Sequence, residues 1–320
     1  MKLNKKLLLL FLLILIIILL IFLKENDSNK ENVVNFGYSY NSGQIPGLIG
    51  VEKSFFKNNG LEIKSVILKG GKEVIEAMLA REIDIGLSSS SNIIPASSKT
   101  NKIIIIASTS YGGGRKRLMI REDLEITNFN DLKNKKIAVR VASTQYKNLL
   151  KLIEEYNLTK SDFQILNMKG EDAIFALKTK DVDSYLCGEP DCATIEYNKI
   201  GYELLNFDKK ETDPNFLIVR REFLENNPNL VIKFVKGWSD TIEYVNNNLE
   251  ESKKIFSDKS DVNLEIVEIS TKYITYDYQL YDFIISSFKE DSEFLLNQGE
   301  IDKLPNFDKI IILDYVNKII

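Results

Sequence analysis

From Val33 onward the chain alternates short β-branched runs with amphipathic stretches of helical period, and that alternation confines it to a layered α/β architecture with mostly parallel sheets. Strands are expected over 33–38, 61–68, 83–87 and 103–108, with helices over 48–58 and 72–81. Residues 117–121 read as a strand leading out of this first unit. A second unit repeats the style, with strands over 136–139, 163–168, 182–187 and 202–207 and helices over 144–156, 171–178 and 189–199. Residues 216–220 read as a strand rejoining the first unit, after which the chain is mainly helical, with a long amphipathic segment over 228–249. The expected division is therefore a segment 1–32, a discontinuous lobe of 33–121 with 212–320, and an inserted lobe of 122–211. Two crossings between lobes place a ligand cleft at their interface.

Composition narrows the function. The 320 residues carry 42 Lys and Arg against 46 Asp and Glu, a formal net charge of −4, with no basic tract beyond the N-terminal tip. Nucleic acid is not an expected partner. Histidine is absent, which removes Ser-His-Asp and Cys-His catalysis and the usual histidine-containing zinc sites. The two cysteines, Cys187 and Cys192, stand in a C-x4-C pair, consistent either with a short-loop disulfide or with two free thiols.

Ahead of the α/β pattern, Lys2, Lys5 and Lys6 precede an uninterrupted apolar run over 7–23. At about 1.5 Å per helical residue this run reaches about 25 Å, enough to cross a bilayer. No small-x-small cleavage site and no lipidation cysteine follow it, so the expectation is an uncleaved N-terminal transmembrane helix with the basic flank in the cytoplasm and the rest of the chain outside. A cleaved signal with an atypical site is the alternative.

Four stretches in order resemble one family. They are Ser54-Phe55-Phe56-Lys57-Asn58-Asn59-Gly60-Leu61-Glu62-Ile63; Ala77-Met78-Leu79-Ala80-Arg81-Glu82-Ile83-Asp84-Ile85-Gly86; Asp131-Leu132-Lys133-Asn134-Lys135-Lys136-Ile137-Ala138-Val139 followed by Ala142-Ser143-Thr144; and Ala176-Leu177-Lys178-Thr179-Lys180-Asp181-Val182-Asp183 followed by Glu189-Pro190. Together they resemble the periplasmic-binding-protein fold, specifically the nitrate/sulfonate/taurine and thiamine-precursor group of ABC importer binding proteins. Arg81 and Asn134 stand where that pattern usually has glycine. The resemblance implies a two-lobed, non-enzymatic, monomeric protein that closes on a small anionic, zwitterionic or heteroaromatic solute and hands it to ABC permease subunits, with no cofactor and no metal. A thiamine-pyrimidine-precursor binder and a membrane-tethered sensor are the alternatives. The branch of the family that makes the thiamine pyrimidine uses its own histidine, which this chain lacks.

In such folds ligands gather at loops after strand C-termini and at helix N-termini. That rule selects Ser39, Tyr40 and Asn41 after the first strand. It next selects Ser88, Ser89 and Ser90, with Ser91 and Asn92, where hydroxyls and backbone N–H groups can hold an anion or simply cap the next helix. Ser110 and Tyr111 end the fourth strand before Gly112, Gly113 and Gly114, which allow either close backbone approach or a flexible turn. In the inserted lobe, Ser143 and Thr144 precede a helix as cap or anion contact. Glu189 ends a strand as an acceptor for a ligand donor, or as a hinge or surface carboxylate. Tyr40, Tyr111 and Tyr185 offer aromatic surface if they face the cleft, and Tyr185 fits a core position equally well.

Overall fold

The computed structural model describes residues 32–141 and 143–318. The apolar run over 7–23 and the linker up to residue 31 lie outside the described residues, and among those described no helix is long and apolar enough to cross a membrane. The strands are β1 (Val33–Ser39), β2 (Glu62–Leu68), β3 (Ile85–Ser89), β4 (Ile103–Tyr111), β5 (Lys116–Arg121), β6 (Lys136–Val139), β7 (Gln164–Asn167), β8 (Ser184–Gly188), β9 (Gly201–Asn206), β10 (Asn215–Arg220) and the two-residue β11 (Thr275–Tyr276). The helices that matter here are α1 (Ile45–Glu52), α2 (Gly71–Leu79), α3 (Ser90–Ser97), α4 (Thr144–Glu155), α5 (Gly170–Lys178), α6 (Asp191–Tyr197), α7 (Pro228–Asn247), α8 (Leu249–Ser260), α9 (Leu264–Thr271) and α10 (Asp282–Asn297).

Two sheets result, ordered β2-β1-β3-β10-β4-β11 and β7-β6-β8-β5-β9. Both are mixed rather than mostly parallel. In the first, β1 runs parallel to β2 and β3, whereas β10 is antiparallel to β3 and β4. In the second, β6 runs parallel to β7 and β8, whereas β5 is antiparallel to β8 and β9. Apart from the two-residue β11, which lies antiparallel to β4 at the edge, the antiparallel members are the strands that cross from one sheet to the other, β5 and β10, each entering against the direction of the strands already there. One boundary changes as a consequence: β5, which the sequence places with 33–121, belongs to the second sheet. The outward crossing is therefore the short stretch between Tyr111 and Lys116, and the return crossing lies between Asn206 and Asn215.

Both crossings are packed tightly. A Cβ on Gly112 would lie 1.8 Å from the carbonyl oxygen of Tyr273, and one on Gly113 would lie 2.1 Å from that of Glu211 and 2.3 Å from that of Phe207. The glycine run thus serves close approach, Gly113 to the return crossing and Gly112 and Gly114 to Tyr273 in the segment before β11.

Each sheet has apolar clusters on its faces. One face of the first sheet packs Phe36, Leu87, Ile104 and Leu217 against Phe56 and against Phe234 and Trp238 of α7, and the other packs Ile83, Ile105 and Ile218 against Val74 of α2 and Phe288 of α10. The second sheet carries Leu118, Ile137 and Leu186 against Leu149 and Leu152 of α4, and Met119 and Tyr185 against Ala173 and Leu177 of α5. These are the positions expected when alternate strand residues face opposite layers and a helix turns an apolar stripe toward each. The helix expected over 48–58 is broken, because Ser54 takes a left-handed conformation (φ 62°) between α1 and a short turn at Phe55–Asn58.

The two departures from the family's glycine pattern have a conformational meaning. Arg81 (φ 66°) and Asn134 (φ 63°) both occupy the left-handed region, and so does Lys180 (φ 69°). The chain bends at these places as a glycine would, at a cost of about 1–2 kcal/mol for each residue carrying a Cβ and less for asparagine.

Candidate functional site

A polar cavity of about 300 Å³ lies between the two sheets. The first sheet's side supplies Ser39, Tyr40 and Asn41 at the end of β1, Lys69, Gly70 and Gly71 at the end of β2, and Ser89, Ser91 and Asn92 at the start of α3. Facing them are Thr144 and Gln145 at the start of α4 and Gly188, Glu189 and Pro190 at the end of β8. Arg115, Lys116, Asp213 and Asn215 from the two crossings form the floor. A larger hollow of about 540 Å³, lined by Asn32, Phe56, Glu62 and Ile63, lies by the N-terminal ends of β1 and β2 and draws its walls from one unit alone. The smaller cavity is the candidate site, because it alone gathers strand C-termini and helix N-termini from both sheets.

Three helices, α2, α3 and α4, begin at its wall. The first-turn N–H groups of an α-helix have no intrahelical acceptor and carry the positive end of its dipole, so their convergence favours negative charge. The floor has the same sign. Asp213 accepts from Arg115 Nη2 at 2.7 Å and from Lys116 Nζ at 2.9 Å, all three side chains being largely buried. Burial opposes ionisation of Asp213, but Arg115 and Lys116 outweigh it and hold the carboxyl below its ordinary range. One carboxylate thus faces two cations. The Asn215 amide, oriented to satisfy its neighbours, accepts from Arg115 Nη1 at 2.7 Å, and this fixes the guanidinium in place.

Behind the opposite wall lies a second charged group. Arg117 Nη2 is 2.7 Å from Glu189 Oε1, with both side chains about 2% exposed, and Arg117 also meets Glu196 and, at 3.2 Å, Glu203. The Glu189 contact is close but poorly aligned, since neither atom completes a hydrogen bond of good geometry. The other oxygen of Glu189 accepts from Ala193 N at 2.9 Å. Burial pushes the Glu189 carboxyl up to about 7 despite the guanidinium beside it. Its role in the structure is therefore mostly internal, although the residue lines the cavity.

The serines divide. Ser89 Oγ shares a 3.0 Å hydrogen bond with Ser91 Oγ and accepts from Asn92 Nδ2 at 3.0 Å, so these three form one polar wall. Ser88 donates to Gly71 O, Ser90 to Pro214 O and Ser110 to Gly43 O; all three hydroxyls are committed to backbone, and none of these residues lines the cavity. Ser143 is the N-cap of α4, accepting from Tyr146 N at 3.3 Å and donating to Arg140 O at 2.5 Å, whereas Thr144 beside it reaches the cavity. Asn41 lines the cavity while accepting from Gly43 N. Ser39 lies at the rim with its hydroxyl donating to Gln44 Oε1 at 3.1 Å.

Of the tyrosines only Tyr40 lines the cavity, its ring edge-on to Phe256. Tyr111 borders a separate hollow and packs edge-on against Phe283. Tyr185 is buried and donates to Asp191 Oδ2 at 2.9 Å, a core position. Sequence reasoning missed Lys69, Gly70 and Gly71, which the strand-end rule would have found had it been applied to β2. It also missed Gln44, Gln145, Arg115, Lys116, Asp213 and Asn215.

Comparison with known proteins places the chain in a family and its fold among solved structures. A Bacillus subtilis (strain 168) protein named for binding aliphatic sulfonates is 24% identical over 281 residues, covering 85% of this chain and 84% of that protein. The taurine-binding periplasmic protein of Escherichia coli (strain K12) is 24% identical over 212 residues, 65% of either chain. Among solved structures, the periplasmic aliphatic sulphonate binding protein SsuA from Escherichia coli superposes with a TM-score of 0.77 at 15% identity, covering 88% of this chain and 97% of that one, and shows the fold. The family model described as NMT1/THI5 like matches residues 41–252, about two thirds of the sequence, and the chain belongs to that family.

Proposed function

We propose that this chain is the extracytoplasmic solute-binding component of an ABC importer, and that the cavity between its sheets captures a compact anionic or zwitterionic solute of the sulfonate, taurine or nitrate type. The observation that carries this is the convergence of three helix N-termini on one polar cavity whose lining has Lys69, Arg115 and Lys116 against Asp213 and Glu189, both carboxylates being already engaged by cations. An anion entering there meets the positive ends of three helix dipoles and a surplus of positive charge. Only one of the three candidate tyrosines lines the cavity, which favours a small polar solute over a heteroaromatic one.

Capture rather than turnover is supported by the side chains at hand. The sequence has no histidine, and both cysteines are joined in a disulfide, so the lining hydroxyls have no histidine or thiolate to activate them. Two lobes, the first sheet with its C-terminal helices and the second sheet inserted between the crossings, would close on the solute about the segments 112–115 and 207–214. The protein would act as a monomer, held at the membrane by the apolar run over 7–23, and deliver its cargo to permease subunits.

Titration calorimetry on the full-length chain in detergent, with taurine, ethanesulfonate, nitrate and an aminopyrimidine, tests the assignment. Saturable binding of one of the anions without chemical change is expected. Binding of the aminopyrimidine alone, or conversion of any of these compounds, overturns it.

A further inference from the structure

Cys187 and Cys192 form a disulfide, five positions apart, whose loop is part of the cavity wall. Of the four residues it encloses, Gly188, Glu189 and Pro190 all line the cavity. Both cysteines are fully buried, in a cluster with Met119, Ala138, Leu177 and Ile195. The bond joins the end of β8 to the first turn of α6, elements of the same unit that pack on one another through that cluster.

A loop this short does little for the fold as a whole, because the chain entropy removed from the unfolded state grows with the length of the closed loop. Its effect is local. The loop closed by the bond carries the Glu189 carboxylate, which is almost wholly withdrawn from water and depends on two contacts, Arg117 Nη2 at 2.7 Å and Ala193 N at 2.9 Å. The backbone of the turn is tied by the pairing of Gly188 with Lys116, by Pro190 O accepting from Thr194 N at 2.9 Å and, last, by Glu189 N donating to Arg115 O at 3.0 Å. That tie runs to a residue of the cavity floor, so a shift of the turn is felt there as well.

We propose that the Cys187–Cys192 disulfide is a positioning device for the second-sheet wall of the cavity, holding Gly188, Glu189 and Pro190 in the shape that the bound solute meets. This rests on the proposed site. It assigns the bond a purpose in binding and not in global stability. Without the bond, β8 keeps its ladders to β5 and β6 while the turn samples other shapes, and a solute must restore the wall before it can be held.

The test compares full-length protein in detergent, unmodified, with Cys192→Ala and with the double change Cys187→Ala/Cys192→Ala. Hydrogen exchange is followed by residue. The amides of Glu189 and Ala193 are expected to exchange about tenfold faster in both variants, and those of β1 and β2 to keep their rates. Taurine affinity, measured by calorimetry, is expected to fall about tenfold or more. Equal exchange at residues 188–193, or acceleration spread evenly over both sheets, overturns the proposal. So does unchanged taurine affinity in a protein whose turn exchanges faster. If the unmodified protein binds none of the anions, the solute class is wrong and exchange alone decides the role of the bond. Should the variants fail to fold, exchange in the unmodified protein with and without a phosphine reductant, the reduced state verified by mass, gives the same readout.

Discussion

Arg117 and Glu189 face each other at 2.7 Å with both side chains about 2% exposed, and Arg117 is the one cation among three carboxylates, Glu189, Glu196 and Glu203. Removing the cation leaves Glu189 buried without a countercharge, whereas neutralising Glu189 leaves the guanidinium two other partners. Arg117→Met is therefore expected to cost about 3–5 kcal/mol in unfolding free energy, and Glu189→Gln about 1–3 kcal/mol. Urea denaturation of both variants at neutral pH checks the order. Equal losses would mean that Glu196 and Glu203 contribute nothing to holding Arg117.

The same carboxylate makes stability depend on pH in a defined window. Burial raises Glu189 from 4.5 to about 7, so between these values the native chain holds a proton that the unfolded chain has released. Its contribution is full below pH 4.5 and is lost as the pH climbs to about 7. The margin by which the unmodified protein out-melts Glu189→Gln should accordingly shrink on going from about pH 5 to about pH 7.5. Thermal melts of the two proteins across that range would run parallel if the group titrates normally.

A third buried ion group joins the two units. Lys147 on α4 reaches Glu211 of the return crossing at 2.7 Å and Asp291 of α10 at 2.6 Å, and Glu211 also accepts from Lys151 at 2.8 Å. Burial keeps Asp291 above the ordinary range with one lysine beside it, while Lys147 and Lys151 overcome burial and bring Glu211 below its own. Lys147→Met should cost about 3–5 kcal/mol, and adding Asp291→Leu should recover at least about 1 kcal/mol by removing the orphaned acid. Strict additivity in a double-mutant cycle would show that the two side chains do not interact.

Backbone conformation yields a prediction of the opposite sign. Arg81 and Lys180 hold left-handed conformations that glycine adopts freely, and their head groups make only exposed pairs, Arg81 with Glu222 at 2.9 Å and Lys180 with Asp123 at 2.8 Å. Exposed pairs contribute about 0–1 kcal/mol, less than the conformational penalty of about 1–2 kcal/mol. Arg81→Gly and Lys180→Gly are each expected to stabilise the protein by roughly 0.5–1 kcal/mol, once the greater freedom of glycine in the unfolded chain is allowed for. A lower melting temperature in both variants would show that the ion pairs outweigh the strain.

Much of this architecture is legible in sequence, because side-chain period is a local property. The strands from β1 to β10 each fall within a few residues of their expected places, and α4 begins at Thr144 as its capping serine implies. Sheet direction was less legible, since which strand pairs with β5 or β10 depends on partners far along the chain, as with Val219 of β10 and Ile85 of β3. At the site, the strand-end rule picks out Ser39, Tyr40, Asn41, Ser89, Thr144 and Glu189, which line the cavity, but not the orientation of each hydroxyl. Ser88, Ser90 and Ser110 turn toward carbonyls of other segments, contacts that no local pattern announces. Arg115, Lys116 and Asp213 escaped for a related reason: they sit in the crossings, and become a site only where the two crossings meet.

Ser143 and Thr144 are neighbours with separable tasks, and the pair tests the proposed cavity. The hydroxyl of Ser143 accepts from Tyr146 N and caps α4, while Thr144 lines the cavity with no backbone group holding its own hydroxyl. Ser143→Ala should therefore lower stability by about 1 kcal/mol, the usual cost of a lost N-cap, and leave solute affinity nearly unchanged. Thr144→Val keeps the branched shape and deletes only the hydroxyl. It should leave the unliganded melting temperature in place and weaken binding by roughly 5- to 150-fold, the range for one lost buried hydrogen bond of about 1–3 kcal/mol. Calorimetry with whichever anion the unmodified protein binds, beside thermal melts without it, reads both effects in the same two variants. If Ser143→Ala loses affinity while Thr144→Val does not, the solute is held from the cap side of α4 and the cavity wall has been drawn one residue out of place.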